Sequence, residues 1–321
     1  MSGQVTMMNR AKEYLAYRRA LGFALDSSGS LLLQFARFAD RSKHSGPLTA
    51  DLALRWASRP QSESPRYRAE RLSIVRVFAR HLAVEDGRSQ VPDRRLLGKN
   101  HTRLQPHIYS DRQLRELVLA AAKLPPSYRL RPLTYSTLFG LLASTGLRIS
   151  EALSLSKECV DLTRGILRIS ETKFRKSRFV PVHSTTTRAL SRYARERDHD
   201  RLAQDSQAFF VGGSGQTLPY STVRSTFRKL ITQFGWQSNG MLPRPRIHDL
   251  RHSFACRRLL CWYEQGVNVG QAIASLSTYL GHAKVTDTYW YLTGTAPLLA
   301  IAGKRFEQFA RVSRGGEHEK A

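Results

Sequence analysis

What this sequence lacks narrows it before any motif is read. No apolar run approaches the ~18 residues of a membrane-spanning helix, and the opening stretch MSGQVTMMNRAKEYL has no apolar signal core. The expectation is a soluble, cytoplasmic, nucleoid-associated chain with no membrane partner. Cysteine is scarce. Cys159, Cys256 and Cys261 are odd in number and share no CxxC spacing, so they read as reduced, partly buried thiols. No internal repeat and no long low-complexity segment is found. Acidic side chains are the largest shortfall: 25 Asp and Glu stand against 51 Lys and Arg, giving a net charge of +26 and a pI near 10.8.

An imbalance of that size favours a polyanionic partner, because basic side chains gain affinity by releasing counterions condensed on a phosphate backbone. It is also spread along the chain. Residues 1–110 carry 19 Lys and Arg against 9 Asp and Glu, a net of +10, and the remainder carries +16. A basic tail is not its source, and both halves are expected to face nucleic acid. The length of 321 residues suffices for two moderate cores.

The first part reads as helices. In NRAKEYLAYRRALGFAL, Tyr14, Leu15, Arg18 and Leu21 follow helical spacing, and Gly22 supplies a stop. In YRAERLSIVRVFARHLAVE, Ile74, Val77, Phe78 and Leu82 make an apolar stripe, while Arg68, Arg71, Arg76 and Arg80 mark other faces. Such a face is either solvated or turned to DNA. A helical domain is expected at 1–95 and a basic linker at 96–109, within the run GRSQVPDRRLLGKNHTRLQPH.

The second part mixes helices with a short strand pair. Ser110 caps a helix with an acidic first turn, and TYSTLFGLLASTGLRISEALSL is an apolar run broken at Gly146. GILRISETKFRKSRFVPV alternates as two strands, 166–170 and 178–182, around a turn rich in Lys and Arg. Helices follow at 185–199, 221–234 and 247–264. The fold class is therefore mainly α: an all-helical N-terminal domain and a mostly helical C-terminal domain with a small antiparallel β element.

In PRPRIHDLRHSFA, two prolines precede a helix whose first turns hold His248, Arg251 and His252 on one face. Two histidines four apart resemble the HExxH zinc pattern. Against zinc, Asp249 replaces the glutamate, Arg251 would press a fixed cation on the metal, and no further ligand cluster stands out. The opposite reading is an anion site at a helix N-terminus, with an arginine that keeps its charge. That face suits a phosphate.

STGLRISEAL, HDLRHSFA and YLGHAKVTDTYWYL, in that order and with a basic hairpin between the first two, resemble the signature boxes of the tyrosine recombinases, or phage integrase family. The resemblance spans about Ser110 to Leu292, and the N-terminal helices resemble the family's core-binding (SAM-like) domain. It implies a catalytic domain at 110–294 and a tail at 295–321. It assigns Arg148 and Arg251 as catalytic arginines, Glu151 as the acid that holds the first, Lys173 as the hairpin lysine, His248 and His282 as the catalytic histidines, and Tyr291 as the nucleophile. His252 takes a supporting position. Phe174 stands where the family commonly has glycine, and Lys176 is a rival to Lys173. The segment 256–277 is longer than usual and should hold an extended helix or loop.

The implied chemistry is coherent physically. Two arginines can clamp the non-bridging oxygens of a phosphodiester, and His248 can take the proton from a phenol whose pKa is ordinarily ~10. Lys173 would protonate the leaving 5′ oxygen and His282 would donate to a phosphate oxygen. A 3′-phosphotyrosyl ester stores the bond energy, so religation needs no metal, nucleotide or other cofactor. Among the tyrosines, a helix over 285–292 would stack Tyr289 on Val285 and turn it to the core, and would face Tyr291 outward with Thr288, Asp287 and Lys284. Tyr279 reads as core.

The resemblance implies a site-specific recombinase of a bacterial mobile element, acting as a tetramer on double-stranded DNA sites with accessory DNA-bending or directionality proteins. The alternatives are a type IB topoisomerase and a DNA-binding accessory protein or repressor without catalysis. In the tail, Leu298, Leu299, Ile301, Ala302, Phe306 and Phe309 recur at helical spacing over 297–312, giving a helix that packs on its own domain or on a neighbouring protomer.

Overall fold

The computed structural model describes residues 6–59, 64–98, 106–170, 177–236 and 244–291, together with Ala300, Gly303 and Glu307 of the tail. The chain divides into two compact units, Met1–Arg103 and Leu104–Ala321.

The first unit is built from α1 (Met7–Ala20), α2 (Asp26–Arg41), α3 (Ala50–Ser58) and α4 (Pro65–Glu85). The start of α1 shows how its ends are satisfied. Thr6 Oγ1 accepts the Asn9 N–H at 3.2 Å, and Asp40, near the end of α2, accepts the N–H groups of Met7 and Met8 at 3.0 and 3.2 Å. A carboxylate thus meets the positive end of the helix and ties α1 to α2. Gly22, at φ 87°, follows the helix end. The core gathers Leu15, Phe35, Trp56, Leu72, Val75 and Phe78.

Three sequence expectations fail in this unit. Leu21 lies past the last turn of α1 and is exposed, as is Val77 on the outer face of α4. The buried stripe of α4 instead runs through Leu72, Val75, Phe78, Ala79 and Leu82. Arg71 does not belong to a solvent or DNA face. It is 7% exposed, its Nη2 donates to Trp56 O at 2.7 Å, and its guanidinium carbon lies 3.7 Å from the Trp56 ring centroid.

The second unit begins with an extended stretch that locks onto a later helix. Tyr109, which the sequence reading leaves in the linker, is core. Its N–H donates to Ser253 Oγ at 2.8 Å and its hydroxyl to Arg246 O at 3.0 Å. α5 (Asp111–Ala122) starts in a capping box between Ser110 and Gln113. α6 (Arg131–Thr145) shows little amphipathicity because it is buried on most sides, packed by α5, α8 (Ser184–Asp198) and α10 (His248–Glu264). Gly146 ends α6 at φ 65°, where an added Cβ would lie 2.6 Å from Phe254 Cδ1. Only glycine therefore allows α6 and α10 to approach there.

The β element has three antiparallel strands in the order β1 (Val160–Asp161), β2 (Ile166–Ile169), β3 (Arg178–Pro181), with Leu167 opposite both Val160 and Val180. The two-residue β1 was not expected. Residues 171–176, with Lys173, Phe174 and Lys176, lie outside the described residues. The remaining elements are α7 (Ile149–Leu153), α9 (Tyr220–Gln233), α11 (Val269–Leu280) and α12 (Thr286–Tyr289). The long segment 256–277 is accounted for by the last turns of α10, a turn at Gly266 and most of α11, whose start is capped by Asn268. Of the tail, Ala300, Gly303 and Glu307 are helical and exposed; the apolar residues of the expected tail helix lie outside the described residues. Among the described residues no helix is long and apolar enough to cross a membrane.

Candidate active site

Four backbone segments converge on one cluster of side chains: the α6–α7 turn, the start of α10, the α11–α12 turn and the first residue of β3. Each carries a cation or an imidazole. Arg251, in the first turns of α10, is 2% exposed. Its Nη1 donates to Gly146 O at 2.8 Å and its Nη2 to Leu280 O at 2.7 Å, so one guanidinium joins the ends of α6 and α11. Leu280 is the last residue of α11, where the negative end of the helix dipole favours a cation, and Gly146 is the residue that caps α6.

Arg148 sits where α6 gives way to α7. Its Nη1 donates to Glu151 Oε1 at 2.7 Å, its N–H to Glu151 Oε2 at 3.0 Å and its Nη2 to Gly281 O at 3.1 Å. The short helix α7 thus begins with a carboxylate that closes back on the residue before it. Burial works against that charge. The hydrogen bonds from Arg178 and Arg148 override it and hold the Glu151 carboxyl below the usual range.

His282 follows Gly281 in the α11–α12 turn. Its Nδ1 lies 2.6 Å from Thr288 Oγ1, which fixes the ring and turns Nε2 toward the Tyr291 hydroxyl at 3.5 Å. The two rings stack at 5.8 Å. Burial, helped by Arg251 and Arg148, lowers the His282 pKa to about 4, so the ring is neutral at physiological pH. His248 is lowered by the same causes, partial desolvation first and Arg251 second. Its ring lies 5.0 Å from that of His252, which in turn stands edge-on to Tyr291 at 5.3 Å. The three residues on one face of α10 are therefore together, the two imidazoles in edge contact and the Arg251 charge acting on His248. Among the described residues no group of three His, Cys, Asp or Glu side chains is placed to hold a metal.

Asp249 points elsewhere. Fully buried, it accepts the Arg246 N–H at 2.9 Å and Arg246 Nη2 at 2.8 Å, bracing the start of α10.

The tyrosines correct the sequence argument. The helix expected over 285–292 ends at Tyr289, and the Tyr291 N–H bonds back to Thr288 O at 3.1 Å. Tyr289 is the exposed ring, 48% accessible, and Tyr291 is the buried one at 4%. Tyr291 packs in the core patch of α10 and α11 with its hydroxyl against Arg251 and His282. Burial pushes its phenol up and the Arg251 charge pulls it down. Tyr279 packs on Phe254 at 5.6 Å, and its hydroxyl reaches Pro181 O at 3.3 Å.

Two residues missed by the sequence reading belong here. Arg178, opening β3, donates to both Glu151 oxygens at 3.1 and 2.9 Å, and Thr288 orients His282. Arg178 sat in view at the end of the basic turn, but nothing in the sequence ties it to Glu151.

With the geometry in place, the comparisons with known proteins agree. Residues 110–296 match the phage integrase family. A chain of the integrase/recombinase class from Sinorhizobium fredii, y4rB, is 39% identical over 307 residues, covering 94% of this chain and 98% of its own length. Tyrosine recombinase XerD of Xanthomonas axonopodis pv. citri is 30% identical over 246 residues, 74% of each chain. Among solved structures, the Tn1549 transposon integrase in complex with transposon right end DNA shares the fold with a TM-score of 0.69 at 17% identity, covering 95% of this chain and 99% of its own. A lambda integrase tetramer bound to a Holliday junction superposes with a TM-score of 0.62 at 14% identity, over 87% and 77% of the two chains. The chain belongs to the phage integrase family, the tyrosine recombinases.

Proposed function

We propose that this chain is a site-specific DNA recombinase of a mobile element that cleaves and rejoins duplex DNA through a 3′-phosphotyrosyl intermediate. The observation that carries the reading is the convergence of Arg148, Arg251, His282 and Tyr291 from three separate segments, with the phenol oxygen 3.5 Å from His282 Nε2. Arg148 and Arg251 bind the non-bridging oxygens and stabilise the charge that accumulates as the phenol attacks. Burial lowers the Arg251 pKa to about 10, which leaves it charged at neutral pH. With Nδ1 turned to Thr288, His282 donates a hydrogen bond to a phosphate oxygen through Nε2–H. His248 accepts the phenol proton. Lys173 protonates the leaving 5′ oxygen. No step consumes a nucleotide, because the tyrosyl ester keeps the energy of the bond it replaces.

The duplex is held by charge. On α9, Arg224, Arg228 and Lys229 are exposed along one side and form a groove with Arg244. Phosphate contacts there and along residues 1–95 account for the spread of the basic excess. The working form is a tetramer on two paired sites, with the tail at 295–321 passed between protomers.

The test is a suicide duplex carrying the mapped recombination site, from which a nicked fragment diffuses away and traps the adduct. Wild-type protein should form a covalent complex in the presence of excess EDTA. Tyr291→Phe should bind the duplex equally and form none, and Tyr289→Phe should react normally. A nucleotide found by mass spectrometry on Tyr289 or Tyr279 would overturn the assignment. Binding without any adduct would favour an accessory protein or repressor.

A further inference from the structure

Arg178 directs every donor group of its guanidinium into the protein. Nη1 and Nη2 donate to the two Glu151 oxygens at 3.1 and 2.9 Å, and Nε donates to Tyr279 O at 2.8 Å. The same carboxylate takes Arg148 Nη1 at 2.7 Å. The two arginines differ in where they face: the Arg178 side chain is 10% exposed and that of Arg148 30%. Gly281 lies directly against Arg178. Its φ is 68°, and an added Cβ would fall 2.5 Å from Arg178 Nη1. Gly281 O accepts Arg148 Nη2, and the next residue in the chain is His282.

Charge arithmetic gives the arrangement its purpose. A lone Glu151–Arg148 pair would be neutral and would offer a phosphate no net attraction. With Arg178 sharing the carboxylate, two guanidinium groups face one carboxylate, and the trio keeps a charge of +1 at its accessible end. The carboxylate is also clamped in one orientation from its far side, so Arg148 meets a fixed partner.

We propose that Arg178 is a positioning residue for phosphate capture: it locks and partly neutralises Glu151 so that Arg148 stays oriented and electropositive, and it braces the Tyr279–Gly281 backbone that aims His282. The inference rests on the reading of Arg148 as a phosphate clamp.

The experiment measures single-turnover cleavage by the full-length chain on two suicide duplexes. One carries the native phosphodiester. The other carries a methylphosphonate at the scissile position, where a methyl group replaces one charged non-bridging oxygen and lessens the demand for an arginine clamp. Arg178→Gln should bind duplex normally, cleave the native site about 10- to 100-fold more slowly, and lose most of that deficit on the methylphosphonate. Arg148→Ala, run beside it, should show the same substrate dependence with a larger deficit. Arg178→Lys should recover part of the rate by restoring the charge without the fork. Gly281→Ala, which displaces the Arg178 guanidinium, should reproduce the Arg178→Gln profile; this second variant leaves Arg178 itself intact. Equal deficits for Arg178→Gln on both duplexes, or native-like cleavage, would overturn the positioning role. If Arg148→Ala also shows equal deficits on both, the phosphate role of Arg148 falls, and this inference with it.

Discussion

Two arginines, one in each unit, are buried to nearly the same degree and do different things. Arg71 of α4 is 7% exposed and Arg251 of α10 is 2% exposed. Both donate to backbone carbonyls: Arg71 to Trp56 O, Arg251 to Gly146 O and Leu280 O. Arg71 covers an indole ring, so its charge is met by a π face within one helical layer. Arg251 faces a second arginine, the His282 imidazole and a phenol brought in by other segments, beside His248 of its own helix. Burial and a carbonyl partner therefore do not mark a functional arginine. What marks it is convergence with other cationic groups, an arrangement that is costly alone and is relieved by an anion from outside.

The largest effect expected is the one that separates these two residues. Arg251→Lys keeps a cation but loses the fork that spans two helix ends and, in the proposed mechanism, binds the phosphate, and single-turnover cleavage should fall about 10²–10³-fold. Arg71→Ala should leave cleavage per folded molecule unchanged and cost about 2–3 kcal/mol of stability in urea titration, by orphaning Trp56 O and baring the indole face. Equal cleavage losses in the two variants would erase the distinction.

The sequence made some of this readable and hid the rest for identifiable reasons. Long helices such as α8, α9 and α10 were legible to within a residue because their apolar spacing runs unbroken. The α10 face was legible because i, i+3 and i+4 lie within one helix. Arg71 was misassigned because an arginine whose stem and charge are both satisfied locally looks, in sequence, like any surface arginine. The facing of Tyr289 and Tyr291 was inverted because Val285, the apolar guide for Tyr289, is itself exposed, while the polar Thr288 is the buried residue of α12 and Tyr291 follows it inward. The two residues of β1 are too few to show alternation. Arg178 could not be connected to Glu151, 27 residues earlier, or to Tyr279, 101 residues later, by any local pattern.

A middle-sized effect sharpens the contrast with a cation of another kind. A lysine can give up its proton and an arginine in effect cannot, so in the proposed mechanism the leaving oxygen is protonated by Lys173 and not by Arg148 or Arg251. Lys173→Ala should slow native cleavage by about 10²-fold, at the lower end of the range of general acid catalysis. A 5′-bridging sulfur, which leaves as a thiolate without protonation, should restore most of the rate. Lys176→Ala should cleave both substrates alike. Thio-rescue confined to the Lys176 variant would move the proton donor to that residue.

The smallest effect concerns acid, and it bears on the second unit alone. In the folded chain the His282 pKa is about 4, lowered by burial first and then by Arg251 and Arg148. In the unfolded chain it returns to an ordinary value near ~6.5. Between those values the unfolded state binds more protons, so stability rises with pH across the interval. The contribution is complete above about pH 6.5 and is lost as pH falls toward 4. For a ring that retains some solvent contact, the loss should be about 1–2 kcal/mol, below the full linkage value. The measurement is the urea stability of wild type and of His282→Asn, which cannot titrate, at a series of pH values from 7.5 down to 4.5. The wild type should lose more stability on acidification than the variant, with the difference opening below about pH 6.5. Other groups titrate in both proteins and cancel. Parallel curves would show that His282 is no harder to protonate in the fold than in water, and that the cations around Arg251 do not act on it as their positions require.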